Sequence, residues 1–205
     1  MLASQINPHF LFNALESIRM KAHLRGDSEI SVVVRNLGRL MRRSLDVGSK
    51  KISLQNELEM VRCYLEIQQF RYGDRISFNL DIDPSAQNLE VPPLIIQPLI
   101  ENAVIHGLEN KIDNGIIRVT AYIFGGELHV EVLDNGQGMD EAKVNELVQS
   151  LLDSKEDDHN HIGMRNVHLR LQLSYGIQYG LAISSAPNRG TRIHFCIPVG
   201  GSLLV

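Results

Sequence analysis

The hydrophobic period of this chain changes once, near Tyr72-Gly73-Asp74, and that change constrains the fold more than any other feature of the sequence. Before it, apolar residues recur three and four positions apart, the spacing that lines one face of a helix. After it, apolar and polar residues alternate, the spacing of a strand with one buried face. A chain read this way is predicted to be α+β, with a helical region over 1–72 and a second domain over 73–205. Its 205 residues suffice for two small domains, and its 43% hydrophobic content supports a packed core.

In the first region, Leu11, Leu15, Ile18 and Ala22 line one helix, which Gly26-Asp27-Ser28 ends. Ile30, Val33, Leu37, Leu40 and Leu45 line a second at close to heptad spacing. Gly48-Ser49 breaks again, and Ser53 is placed to N-cap a third helix carrying Leu54, Leu58, Val61 and Leu65. Two helices joined by a short turn form a hairpin that buries its stripes poorly alone. Pairing with a second copy into a four-helix bundle would cover them; packing on the neighbouring domain is the alternative. Met1 to Ile6 already reads as helix interior, so an upstream portion is expected.

In the second region, Ile76, Phe78, Leu80 and Ile82 alternate in a strand that Pro84 ends. Pro92-Pro93 is expected to open a helix over Leu94 to Gly107. Strands Ile116 to Phe124 and Glu127 to Leu133 join at Gly125-Gly126, a hairpin signal. Asp140 is expected to N-cap a helix to Leu152, followed by a polar, mobile loop from Asp153 to His161. A further helix covers Ile162 to Ser174. Strands Leu181 to Ser185 and Thr191 to Ile197 complete a mainly antiparallel sheet with helices on one face.

The composition excludes several function classes. A net charge of -4 does not suit a whole-chain binder of nucleic acid or acidic lipid. Cys63 and Cys196 fit no metal or redox spacing, and favour a reducing compartment. No run reaches the roughly 20 apolar residues that cross a bilayer. His159 and His161 form an H-x-H pair without a third ligand, and read as part of a solvated loop. His129 and His194 read as outward-facing sheet residues.

Four short stretches carry the chemistry. They are Gln97-Pro98-Leu99-Ile100-Glu101-Asn102-Ala103-Val104-Ile105-His106-Gly107, then Asp134-Asn135-Gly136-Gln137-Gly138-Met139, then Gly163-Met164-Arg165-Asn166, then Gly190-Thr191. Taken alone, Asp134-Asn135-Gly136 is an ordinary hairpin turn. Asp134, at a strand end, can also accept from an exocyclic amine of adenine. Gly136 and Gly138 would let backbone approach a flat base and let the next segment hinge. The Asn102 carbonyl suits a hard cation such as Mg²⁺. Gly163 opens a helix whose amides favour phosphate oxygens, and Arg165 can add a charge-assisted contact. Thr191 can assist at the base.

In this order the four stretches resemble the N, G1, G2 and G3 boxes of the GHKL (Bergerat) ATP-binding fold of gyrases, heat-shock chaperones, mismatch-repair ATPases and histidine kinases. The resemblance implies an α/β sandwich that binds ATP and Mg²⁺ through Asn102, His106, Asp134, Gly136, Gly138, Met139, Gly163, Met164, Arg165, Asn166 and Thr191, with a lid over about 140–161. It also marks two departures. Where ATP-hydrolysing relatives place a water-activating Glu one turn before the Asn, this chain has Pro98. Glu101 lies about 100° away from Asn102 around a helix and is a poor substitute. Where many kinases carry a Lys three residues after the Asn, this chain has Ile105.

Gln5-Ile6-Asn7-Pro8-His9-Phe10-Leu11-Phe12-Asn13 is similar to the phosphoacceptor motif of LytS/YesM-type sensor histidine kinases, and the similarity continues through Ser53-Leu54-Gln55-Asn56-Glu57-Leu58 and Tyr64-Leu65-Glu66-Ile67-Gln68. Independently, His9 sits about 200° around the helix from Leu11, away from the apolar stripe. An imidazole in solvent can be neutral and nucleophilic near pH 7. Pro8 either starts a helix capped by Asn7 or kinks a longer one, and the resemblance favours the kink. Phe10 stands where most histidine kinases have an acidic residue. Asn13, one turn after His9, is placed to orient a water for dephosphorylation of a partner.

The resemblance therefore implies autophosphorylation of His9 by ATP and transfer to a response regulator receiver domain. It implies a homodimer, a cytoplasmic location, no nucleic acid partner, no membrane contact in this portion and a membrane-anchored parent chain. The alternatives are an ATPase of the same fold and a degenerate kinase acting as a dimeric scaffold.

Overall fold

The computed structural model describes residues 8–45, 51–108, 111, 114–152 and 162–200. The expectations for Asn7, for the break at Gly48-Ser49, for the loop 153–161 and for His159 and His161 fall outside the described residues. The chain divides into two compact units: Met1–Gly48 with Glu59–Gly73, and Ser49–Leu58 with Asp74–Val205.

The first unit is built on α1 (Pro8–Leu24), α2 (Ser28–Leu45) and most of α3 (Leu54–Tyr72). Gly26, at φ 75°, occupies the turn between α1 and α2, a conformation that favours glycine. The Asp27 carboxylate accepts from the Ile30 N–H at 3.1 Å and caps α2. Val61 and Leu65 are fully buried, as their spacing predicts. Asn36 is buried too, and its amide donates to the Glu66 carboxylate at 2.5 Å.

The second unit contains a five-stranded sheet in the order β2-β4-β5-β7-β6, from β2 (Ile76–Ile82), β4 (Gly115–Phe124), β5 (Glu127–Asp134), β6 (Ala182–Ala186) and β7 (Gly190–Pro198). β2 and β4 run parallel and the other pairs antiparallel. Gly125 and Gly126, at φ 61° and 83°, close the β4–β5 hairpin. Ile117, Val119 and Ala121 of β4 pair with Asp134, Val132 and Val130 of β5, so one sheet face is apolar and buried. The helices α4 (Gln97–Asn102), α5 (Glu141–Leu152) and α6 (Ile162–Tyr175) belong to the same unit, and Asp140 caps α5 through the Lys143 N–H at 2.8 Å.

Two expectations are corrected. The helix predicted to start at Leu94 starts at Gln97, with Pro98 rather than Pro92 or Pro93 in its first turn. The reason is Glu57. Its carboxylate, almost wholly buried, accepts from the backbone N–H groups of Leu94, Ile95 and Ile96 at 3.0, 2.9 and 3.0 Å. That fixes a non-helical approach, with Leu94 at φ 57°. The helix then widens into a π-helical turn over Ala103–Leu108 instead of continuing regularly.

The second correction concerns the boundary at 72/73. The described residues 51–58 group with the second unit. Ser53 caps α3 as expected, through the Asn56 N–H at 3.2 Å, but it also belongs to a two-residue strand β1 (Ile52–Ser53) paired with β3 (Glu90–Val91). Leu54 N–H then donates to Leu89 O at 2.8 Å and Gln55 N–H to Gln87 O at 2.9 Å. Short backbone pairings of this kind leave no periodic trace in a sequence.

Glu57 should therefore be a strong stability determinant. Glu57→Ala strands three N–H donors, two of them buried, and should cost roughly 3 kcal/mol or more in urea unfolding. A loss under 1 kcal/mol would mean that the cap contributes little.

Candidate functional site

Strand parity places the central residue of the site. Leu128, Val130, Val132 and Asp134 share one face of β5, so the apolar face ends in a carboxylate that is carried into the interior and left 4% exposed. Burial pushes the Asp134 carboxyl above its ordinary value of 3.8. The N–H groups of Gly136 and Thr191 and the charge of Lys111 oppose that rise. The Gly136 N–H donates to Asp134 Oδ1 at 2.8 Å, the local turn that Asp favours.

The loop after Asp134 is not a hairpin turn, because β5 is followed by α5 and not by a strand. It is held by backbone contact. A side chain on Gly136 would overlap the Gly107 backbone, and one on Gly107 would come within 2.8 Å of Asp134 Oδ1. Gly138, at φ 63°, abuts the Ala186 carbonyl. These glycines allow the close packing of three backbone segments. Hydrogen bonds complete the arrangement. Gln137 N–H donates to Gly107 O at 3.1 Å, Asn188 N–H to Gln137 O at 2.7 Å and Met139 N–H to Ser185 Oγ at 2.8 Å. Ser185 Oγ also lies 3.1 Å from Thr191 Oγ1.

Beside this loop is a cavity of about 750 Å³. Of the residues singled out in the sequence, Asn102, His106, Asp134, Gly138, Met139, Met164 and Thr191 line it. Gly136, Gly163, Arg165 and Asn166 do not. Gly163 nevertheless opens α6 next to Asn102, since a side chain there would lie 3.8 Å from Asn102 Nδ2. Asn166 is exposed and Arg165 half-buried.

The Asn102 amide donates from Nδ2 to Pro98 O at 2.8 Å, which leaves its oxygen as the atom able to take a cation. No group of three His, Cys, Asp or Glu able to hold a metal occurs among the described residues. A hard cation held by one side-chain oxygen plus phosphates and water fits this better than a protein cage.

The sequence reading missed Lys143, Glu146 and Ser150, which line the cavity from one face of α5. Their spacing of three and four was visible, but nothing marked that face as facing a site. It also missed the contact between His129 and His194. These lie on the outer sheet face as expected, but Nδ1 of one is 3.2 Å from Nε2 of the other. Burial, then the neighbouring His129, holds the His194 imidazole below its ordinary value.

His9 and Asn13 lie in the first unit, exposed on α1. Asn13 Nδ2 is 3.4 Å from each ring nitrogen of His9.

Asp134 gives a testable sign. A carboxyl whose folded pKa is raised binds its proton more tightly in the folded state, so stability falls as pH rises from 3.8 through the folded value. Asp134→Asn keeps an acceptor for Gly136 and removes that fall. Thermal unfolding across pH 3 to 8 should show the variant gaining most over the wild type at the alkaline end.

Comparisons with known proteins agree with this geometry. Residues 92–201 match the family model described as histidine kinase-, DNA gyrase B- and HSP90-like ATPase, and residues 1–76 match the histidine kinase model. The sensor histidine kinase YesM of Bacillus subtilis is 39% identical over 96% of this chain and 32% of its own length. The sensor protein LytS of Oceanobacillus iheyensis is 33% identical over 96% of this chain and 34% of its own. The chain thus spans about a third of the length of these relatives. Among solved structures, the histidine kinase domain of a blue-light activated histidine kinase from Erythrobacter litoralis has a TM-score of 0.55 at 18% identity, covering 94% of each chain, and shares the fold. The chain belongs to the histidine kinase-, DNA gyrase B- and HSP90-like ATPase family.

Proposed function

We propose that this chain is the catalytic portion of a sensor histidine kinase, in which ATP bound in the cavity of the second unit phosphorylates His9. The observation that carries this reading is the state of the carboxylate next to Asn102. Pro98 occupies the position one turn earlier, and Glu101 accepts from Gln97 Nε2 at 2.8 Å, so neither is set to activate water there.

In the proposed reaction, Asp134 accepts the adenine amine and Thr191 supports the base. Asn102 would hold Mg²⁺ through its oxygen, and the ion would supply neutralisation of phosphate charge. An imidazole nitrogen of His9 forms the N–P bond with the γ-phosphorus while the bond to the bridging oxygen breaks. ADP leaves with that electron pair, and the proton on the other ring nitrogen goes to water. Catalysis rests on positioning and charge neutralisation. The phosphoryl group then passes to an aspartate of a response regulator, and Asn13 orients water when the regulator is dephosphorylated.

The exposed apolar residues Ile18, Leu24, Ile30 and Leu37 of α1 and α2 support a homodimer in which a second copy covers the hairpin. Among the described residues no helix is long and apolar enough to cross a membrane. A cytoplasmic place below a membrane-anchored sensor fits the relatives' description as sensors. Glu146, which lines the cavity from α5, gives the ATPase alternative a candidate base.

Incubation with γ-labelled ATP and Mg²⁺ separates these readings. Acid-labile label on the wild type, absent from His9→Ala, is the expected result. Release of free phosphate that survives His9→Ala and stops in Glu146→Gln would establish the ATPase instead. Asn13→Ala should leave labelling within about threefold of wild type while lowering regulator dephosphorylation at least about tenfold.

A further inference from the structure

A second cavity, of about 600 Å³, lies within the first unit between α1 and α2. Arg39, Arg42 and Arg43 of α2 line it, and Asn13 of α1 forms part of its opposite wall. Resting on the assignment of His9 as phosphoacceptor, we propose that these three arginines bind the phosphoryl group on His9 and stabilise it as it is transferred.

Three observations carry this. The first is level along the hairpin. The turn at Gly26 runs α1 and α2 antiparallel, which brings the end of α2 beside the start of α1. The Arg42 guanidinium lies 5.1 Å from the centroid of the Phe12 ring, which fixes that level. His9 is about one turn, roughly 5 Å, before Phe12 and Asn13 along α1.

The second observation is charge. Arg19 also lines the cavity but is paired with Glu16 at 2.6 Å. Among the described residues, no carboxylate lies within ion-pair distance of Arg39, Arg42 or Arg43. Like charges three and four positions apart destabilise a helix, and a bound anion relieves that cost. Phosphorylation adds nearly two negative charges to His9, with oxygens suited to guanidinium donors.

The third is an absence elsewhere. Ile105, half exposed, stands where many kinases of this fold carry a lysine, so positive charge toward the transferred group must come from other residues.

The test compares wild type with the triple variants Arg39→Gln/Arg42→Gln/Arg43→Gln and Arg39→Lys/Arg42→Lys/Arg43→Lys. With labelled ATP, the Gln triple should lose at least about tenfold in the rate of His9 labelling, the Lys triple should recover most of it, and nucleotide affinity should stay within about twofold. A second arm uses phosphoramidate, which phosphorylates imidazole without nucleotide. The phosphorus resonance missing in His9→Ala reports the His9 phosphoryl group. It should shift in the Gln triple, and wild type should approach that position as salt rises. Equal labelling rates, failure of Lys to rescue, or an unmoved resonance would overturn the assignment. If ATP fails to label wild type, the kinase reading falls, and the phosphoramidate arm alone decides the contact.

Discussion

The second unit depends on one contact, the seating of the Gly136 backbone against the Gly107 backbone with the Asp134 carboxylate beside them. No side chain fits between these segments. The contact joins the end of β5 to the π-helical turn after α4, and so places Asp134 and Asn102 around one cavity. The π turn serves the same purpose, because widening a helix re-aims its last residues. The β6–β7 turn closes the arrangement through Asn188, Ser185 and Gly190, which together fix the loop from Gln137 to Met139. A binding site made from backbone packing is rigid, since each strand or helix end is held by its own hydrogen bonds and not by adaptable side chains.

That rigidity comes with a buried charge. The interior raises the Asp134 pKa, and local N–H donors only partly offset the effect. A stability-optimised protein would place an uncharged residue there. A destabilised carboxylate at this place is what the role proposed for Asp134 toward a ligand requires, in line with the general conflict between stability and function. Glu57 shows the contrasting case. It is equally buried, but its oxygens are fully engaged by three backbone N–H groups, so it serves the fold itself.

The first unit works by exposure. His9 and the arginines at the end of α2 lie at the surface or around an open cavity. The proposed chemistry divides along this line: base recognition by a buried acceptor, phosphoryl acceptance by an exposed nucleophile.

The sequence by itself determined the element types and most of their limits, because burial imposes a period that local residues record. Ile76 to Ile82 and Glu127 to Leu133 alternate, α3 carries its apolar stripe, and Gly125-Gly126 and Asp140 announce a turn and a cap. It also singled out the short stretches proposed to carry chemistry, since Asp134, Asn102 and His9 are marked by their neighbours. Tertiary structure decided what no local pattern encodes. Glu57 acts on residues nearly forty positions away, and so moved the start of α4. Lys143, Glu146 and Ser150 reach the cavity only because α5 packs beside it. The close backbone packing of Gly136 needed Gly107, twenty-nine positions earlier in the chain, to lie against it. Period and capping are properties of neighbours along the chain, whereas a site is a property of neighbours in space.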